Sequence, residues 1–179
     1  MTRWALEAAT NRTVLRLHVD VELTRETIET SPPAEAPAPL ERLFELEALR
    51  SLDLHRYRAR LNLRSDADPA LAATNAEAVL AAAWGPASPL VPDDGPRAFA
   101  AATVGGRRVA ESPAMAEGDP ILSLLFDVDG VSEAIVGSGM VLVRLGRLFD
   151  WAGTEPAVAR ALQANSDAGG RPGSTSASG

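Results

Sequence analysis

Two aspartates flanking a valine, Asp127-Val128-Asp129, run into Gly130, and this is how a calcium-binding loop begins. Such a loop needs further oxygen ligands and a closing glutamate at its twelfth position. Counted from Asp127, that position is Ser138, so the reading favoured here is a helix-to-strand turn in which Gly130 takes a positive φ. His18 and His55 are the chain's 2 histidines, and there is no cysteine. Thiol nucleophiles, CxxC redox chemistry and cysteine-held metals or clusters are therefore excluded within this chain. His18 lies on the polar side of an alternating stretch, so both histidines are expected to be solvated and not ligands. Gly105-Gly106-Arg107-Arg108 lacks the Lys-Ser/Thr of a phosphate loop and reads as a hairpin turn. Arg58, Arg60 and Arg64 form a basic stripe. Two roles fit it: an anionic partner, or cross-strand pairing with Asp20 and Glu22, the latter favoured.

These residue types assemble no catalytic set, and neither an enzyme nor a cofactor is expected. An enzyme built on buried Asp127 and Asp129 is the least favoured reading. The formal net charge is -7, from 24 acidic and 17 basic residues, all of the latter arginine. Such a chain is not steered towards phosphate backbones, so no nucleic acid is expected as a partner. No apolar run approaches the roughly 20 residues of a membrane helix, and the N-terminus lacks the apolar core of a secretory signal. A cytoplasmic protein without membrane association is the expectation.

The elements that must position these residues follow from periodicity. Residues 14–23 alternate, with Leu15, Leu17, Val19, Val21 and Leu23 on one side and Arg16, His18, Asp20 and Glu22 on the other, which predicts a half-buried strand. Four prolines between Ser31 and Pro39 make a loop. Leu40, Leu43, Phe44 and Glu47 fall at helical spacing. Residues 52–64 alternate again, with Tyr57, Ala59, Leu61 and Leu63 apolar. Asp68-Pro69 opens a helix that runs to Trp84, aspartate capping it and proline suiting its first position.

Residues 85–96 are rich in glycine, proline and aspartate and mark a linker. Beyond it the order recurs: a strand over Ala98–Val104, a loop holding Pro113, Gly118 and Pro120, a helix over Ile121–Phe126, and strands over Ala134–Val136 and Met140–Leu145. Glu155-Pro156 then opens a last helix to Ala164. The expected organisation is a first module over 1–84, a linker over 85–96, a second module over 97–164 and a disordered tail over 165–179. The fold class is α+β, each module a small antiparallel sheet with helices on one face.

The halves align without gaps from Phe44–Leu63 onto Phe126–Leu145, with matching polarity at Leu46/Val128, Glu47/Asp129, Leu61/Val143 and Asp68/Asp150. The second half reads Asp119-Pro-Ile-Leu-Ser-Leu-Leu-Phe, then Gly130-Val131, then a glycine turn into Met140-Val-Leu-Val-Arg, then Asp150-Trp151. The first half opens with Asn11-Arg-Thr-Val-Leu-Arg-Leu. In that order these segments resemble the N-terminal domain of Nfu/NifU-like iron–sulfur scaffold proteins, here as a tandem duplication. The chain departs from that pattern at Ala48-Leu49 and Asp68-Pro69, and the cluster-binding CxxC domain is missing. The resemblance implies a non-catalytic scaffold or adaptor associated with iron–sulfur cluster assembly, its partner a protein of that machinery. The alternative is a self-associating structural protein, a homo-oligomer with no iron connection.

One contrast between the halves points to where contact occurs. Arg58 and Arg60 align with Met140 and Leu142. The outer sheet face is charged in the first module and apolar in the second, and an apolar sheet face calls for a cover. The other module or the last helix is the favoured cover; a partner protein is the functional one. Met140, Leu142, Arg58 and Arg60 are thus the candidate partner-binding residues.

Overall fold

The computed structural model describes residues 1–31, 36–103 and 105–169. It is an α+β protein with two antiparallel sheets. The first holds β1 (Trp4–Ala8), β2 (Val14–Val19), β3 (Ile28–Ser31), β4 (Leu49–His55) and β5 (Arg58–Leu63) in the order β1-β2-β5-β4-β3. The second holds β6 (Arg97–Ala100), β7 (Arg108–Ala110), β8 (Val131–Gly137) and β9 (Met140–Leu145) in the order β6-β9-β8-β7. The helices are α1 (Pro69–Trp84), the single turn α2 (Pro113–Ala116), α3 (Pro120–Phe126) and α4 (Trp151–Gly169), with a 3-10 helix over Leu40–Glu45.

Outside β3 and β7, whose pairing is two to three residues out of step, the backbone repeats itself at one constant offset, the one that carries Phe44 to Phe126. His18↔Arg58 and Leu17↔Ala59 in the first sheet become Ala100↔Met140 and Phe99↔Val141 in the second. Leu49↔Leu63 becomes Val131↔Leu145, and the irregularity between Leu49 and Ser51 recurs between Val131 and Glu133. Strands β2-β5-β4-β3 thus correspond to β6-β9-β8-β7, and β1 is an addition to the first sheet. The cores follow the same offset. Ala72, Ala76 and Leu80 of α1 are buried against Leu52, Leu54, Ala59 and Leu61. Val158 and Leu162 of α4 are buried against Ala134, Val136, Val141 and Val143. Burying one such leucine or valine contributes about 1.5–3 kcal/mol.

Local chemistry explains where the helices start. The Asp68 carboxylate accepts from Ala70 N at 2.9 Å and Leu71 N at 3.3 Å, with Pro69 in the first turn. Asp119 does the same for α3, accepting from Ile121 N at 3.0 Å and Leu122 N at 3.1 Å. Asp150 accepts from Gly153 N at 2.7 Å. These side chains satisfy amides that the first helical turn leaves without partners.

Several sequence expectations need correction. The first alternating stretch ends as a strand at Val19, because Asp20 accepts from Arg3 N at 2.8 Å and Arg3 Nε at 2.9 Å and the chain turns away; Val21 is exposed. Residues 52–64 form the hairpin β4–β5, since Arg56-Tyr57 is a turn that carries no glycine to betray it. The segment over Leu40–Glu45 is a 3-10 helix. Strand β8 is longer than Ala134–Val136, and β6 ends at Ala100; Val104 lies outside the described residues. Gly105-Gly106 is a turn, with Gly105 at φ +104°, but it joins the two opposite edges of the second sheet and makes no hairpin. Helix α4 begins at Trp151 and accommodates Pro156 within its run. It continues to Gly169, past the start of the expected tail; residues 170–179 lie outside the described residues.

Candidate functional site

The two modules meet at the tip of the first hairpin. Tyr57 is buried, its hydroxyl accepts from Gly130 N at 3.1 Å, and its ring lies 4.8 Å from that of Phe149. Beside it the buried Arg56 donates from Nε to Glu22 at 2.8 Å and from Nη1 to the Val131 carbonyl at 2.9 Å. The same guanidinium stands 5.5 Å from the Phe126 ring centre. A buried arginine whose fork is met by a carboxylate, a carbonyl and a ring face is well compensated for leaving water. Burial pushes the Tyr57 phenol up, so it stays a neutral hydroxyl.

The socket that receives this tip is shaped by two glycines. Gly130 sits at φ +92°, and a Cβ there would lie 2.7 Å from Phe149; a Cβ on Gly146 would lie 3.1 Å from Tyr57 Cβ. The positive φ expected of Gly130 is found, at a turn that the plug fills. Asp127 and Asp129 are exposed, so the burial expected of them is corrected. Among the described residues no group of three or more histidine or carboxylate side chains could hold a metal ion.

Beside the plug, a cavity of about 180 Å3 opens between the sheets. Glu7, Arg16, His18, His55 and Arg58 line it from the first module, with Glu111, Glu133, Arg144 and Arg147 from the second. His18 is 4% exposed, contrary to the solvated position expected of it, because the second module closes over the polar face that carries it. Burial lowers its pKa, so the neutral ring donates from Nε2 to Glu7 Oε1 at 3.1 Å. Burial and the charge of Arg58 likewise lower His55. Burial first, then Arg16, lowers the Arg58 guanidinium, which remains charged.

The pairing expected for the basic stripe is corrected. Asp20 is taken by Arg3 and Glu22 by Arg56. Strand register instead sets Arg16 opposite Arg60 and His18 opposite Arg58. Glu7 lies 3.6 Å from Arg16, and Asp53 lies 3.9 Å from Arg60. Arg58 reaches the cleft and also lines, together with Arg60, a hollow on the open part of the first sheet.

Met140 and Leu142 lie on the outer face of the second sheet. Register places Ala98, Leu142, Ile135 and Val109 in one row across all four strands, with Ala100 beside Met140 in the next. Met140 is 47% exposed, Ala98 and Ala100 are exposed, and Val109, Ile135 and Leu142 are half-buried. The last helix packs on the opposite face with Val141 and Val143, so it is not the expected cover; the first module covers the end of the face at Glu133 and Arg144, which line the cleft with Arg58, and leaves Met140 exposed. The four candidate residues therefore do not form one site.

Arg56 and Tyr57 carry the joint between modules, and alternation alone does not reveal them. The signal is in the alignment, where the hairpin turn Arg56-Tyr57 faces Ser138-Gly139 in the second half. Two bulky side chains at a turn whose repeat carries Ser-Gly have something to fill. No helix among the described residues is long and apolar enough to cross a membrane. In comparisons with known proteins, no family model, curated protein or solved structure matches the chain.

Proposed function

We propose that this chain is a non-catalytic adaptor that acts by protein–protein contact, presenting the outer face of its second sheet to a protein of iron–sulfur cluster assembly. The observation that carries this reading is the apolar row Ala98–Leu142–Ile135–Val109, with Met140 standing 47% exposed beside it. A contiguous apolar patch on a sheet is a docking surface by default. The corresponding positions of the first sheet are Arg58 and Arg60, so the apolar character belongs to one module and not to the fold.

The occupant follows by elimination and by resemblance. Helix α4 is committed to the other face. Residues 170–179, Gly-Arg-Pro-Gly-Ser-Thr-Ser-Ala-Ser-Gly, carry no large apolar side chain to lay on it. A second copy brings a charge of -7 against a charge of -7, which opposes association at low salt. The order of motifs that resembles Nfu/NifU-like N-terminal domains supplies the class of partner. The absence of cysteine means that the contribution is contact and not cluster ligation.

Affinity capture from an extract of the protein's own source, with the captured proteins identified by mass spectrometry, tests this. Wild type is expected to enrich a cysteine desulfurase, a cluster scaffold or a cluster carrier, and Leu142→Arg to lose that enrichment at least tenfold. No assembly protein in the wild-type capture, or equal capture by the variant, contradicts the proposal. So does a concentration-dependent dimer in light scattering that Leu142→Arg abolishes, which assigns the face to self-association.

A further inference from the structure

The socket of the second module has a twin in the first. At the repeat's offset, Val128, Gly130, Gly146 and Phe149 become Leu46, Ala48, Arg64 and Ala67. Two backbone hydrogen bonds are shared: Gly146 N donates to the Gly130 carbonyl at 2.8 Å, and Arg64 N to the Ala48 carbonyl at 2.9 Å. Val131 N reaches the Val128 carbonyl at 3.4 Å, and Leu49 N the Leu46 carbonyl at 3.0 Å. In the second module this place is filled by Arg56 and Tyr57. In the first it is a groove of about 720 Å3.

Three observations mark the place as unfilled. Phe126 is 3% exposed under Arg56, whereas its counterpart Phe44 is only half-buried. Leu71, on the groove's helical wall, is 60% exposed. Gly130 N donates to the Tyr57 hydroxyl, whereas its counterpart Ala48 N has no hydrogen-bond partner among the described residues. The second module's own hairpin tip, Ser138-Gly139, has no side chain able to serve as such a plug.

We propose that this groove is a second docking site, which takes a turn bearing an arginine or lysine next to an aromatic residue from another protein, in the way the second module takes Arg56-Tyr57. The acidic surround fits that occupant. Glu45, Glu47, Asp66 and Asp68 line the groove against the single cation Arg64. A cationic turn is attracted to this rim, and an acidic one is repelled. The groove departs from the filled socket where Gly130 becomes Ala48, Phe149 becomes Ala67 and Gly146 becomes Arg64. Where Gly146 leaves room for Tyr57 Cβ, the first module carries an exposed guanidinium able to stack on an incoming ring. This site is on the first module and does not depend on the second sheet's outer face.

The probe is a backbone-cyclised hairpin peptide with the sequence of residues 51–62, fluorescently labelled and titrated with the full chain. Saturable binding is expected, weakened at least tenfold when the peptide's Arg-Tyr becomes Ala-Ala. Leu71→Arg in the chain should weaken it by the same order, whereas Met140→Glu should leave it unchanged. Leu71 is exposed, so its replacement leaves the fold intact, which circular dichroism checks. Raising salt from 50 to 500 mM should weaken binding, because the rim charges are screened. Failure to bind, or binding indifferent to Leu71→Arg, overturns the proposal: the latter outcome assigns the peptide to the second module's socket by displacement of the native plug. A dimer of the chain that Leu71→Arg dissolves also overturns it, since the occupant is then a second copy.

Discussion

Tyr57 ties the two modules together, and its removal should uncouple them. The hydroxyl accepts from the buried Gly130 N at 3.1 Å, and the ring packs 4.8 Å from Phe149 at an angle of 57°. In Tyr57→Phe the ring remains and the amide loses its acceptor. A buried donor left without a partner costs about 1–3 kcal/mol. In Tyr57→Ala the packing is lost as well, for a total of about 3–5 kcal/mol. With a urea slope of about 2 kcal/mol per molar, the phenylalanine variant should shift the midpoint down by about 0.5–1.5 M. Urea titration followed by far-ultraviolet circular dichroism reads this. The wild type should unfold in one transition, and Tyr57→Ala in two, one for each hydrophobic core, because the residual contacts no longer couple them. A midpoint for Tyr57→Phe within about 0.2 M of wild type, together with a single unshifted transition for Tyr57→Ala, would refute the claim that this contact joins the modules.

Three further outcomes follow. Gly130→Ala meets both a positive φ of +92° and the Phe149 ring at 2.7 Å, so a loss of about 1–3 kcal/mol is expected in the same titration. Burial lowers the pKa of His18 and of His55 in the folded chain, so the unfolded chain takes up the proton first as pH falls. Stability should therefore be full above the ordinary histidine value of 6.5 and decline as pH falls through the depressed folded values; His18→Gln should flatten that decline in melts run at graded pH. Burial raises Asp119, but hydrogen bonds from Leu122 N, Arg108 and Ile121 N outweigh it, and the net pKa is lowered. Its stabilisation is present above the ordinary 3.8 and lost as pH falls through the folded value, and Asp119→Ala should cost about 0.5–2 kcal/mol at neutral pH by loss of the α3 cap.

Much of the architecture is legible because it rests on local signals. Asp68-Pro69 and Asp119-Pro120 announce helices through capping and proline geometry, and both open helices in the structure. Met140–Leu145 is apolar on both sides of its alternation, and β9 accordingly has one face in the core and the other in the outer apolar row. The parts that local signals miss depend on tertiary context. Strand β1 is added to one module only and has a weak pattern, Trp-Ala-Leu-Glu-Ala. Strand β7 has three residues, too few to show a period. Alternation assigns His18 to the right face, but periodicity cannot say that a second module closes over that face. The ion pairs differ from expectation for the same reason: register decides which charges face each other, and it sets Arg16 against Arg60. Arg56-Tyr57 hides as two more residues in a strand-like run until it is compared with Ser138-Gly139.

The contrast between the two sheets also provides a direct test of the proposed role. A photo-crosslinking benzophenone residue is placed at Leu142 in one variant and at Arg60, the corresponding position of the first sheet, in another. Both are irradiated in extract from the protein's source, and the adducts are identified. A covalent adduct with an iron–sulfur assembly protein is expected from position 142 and none from position 60. Equal adducts from both positions, or an adduct from position 60 alone, would overturn the assignment of the docking face to the second sheet.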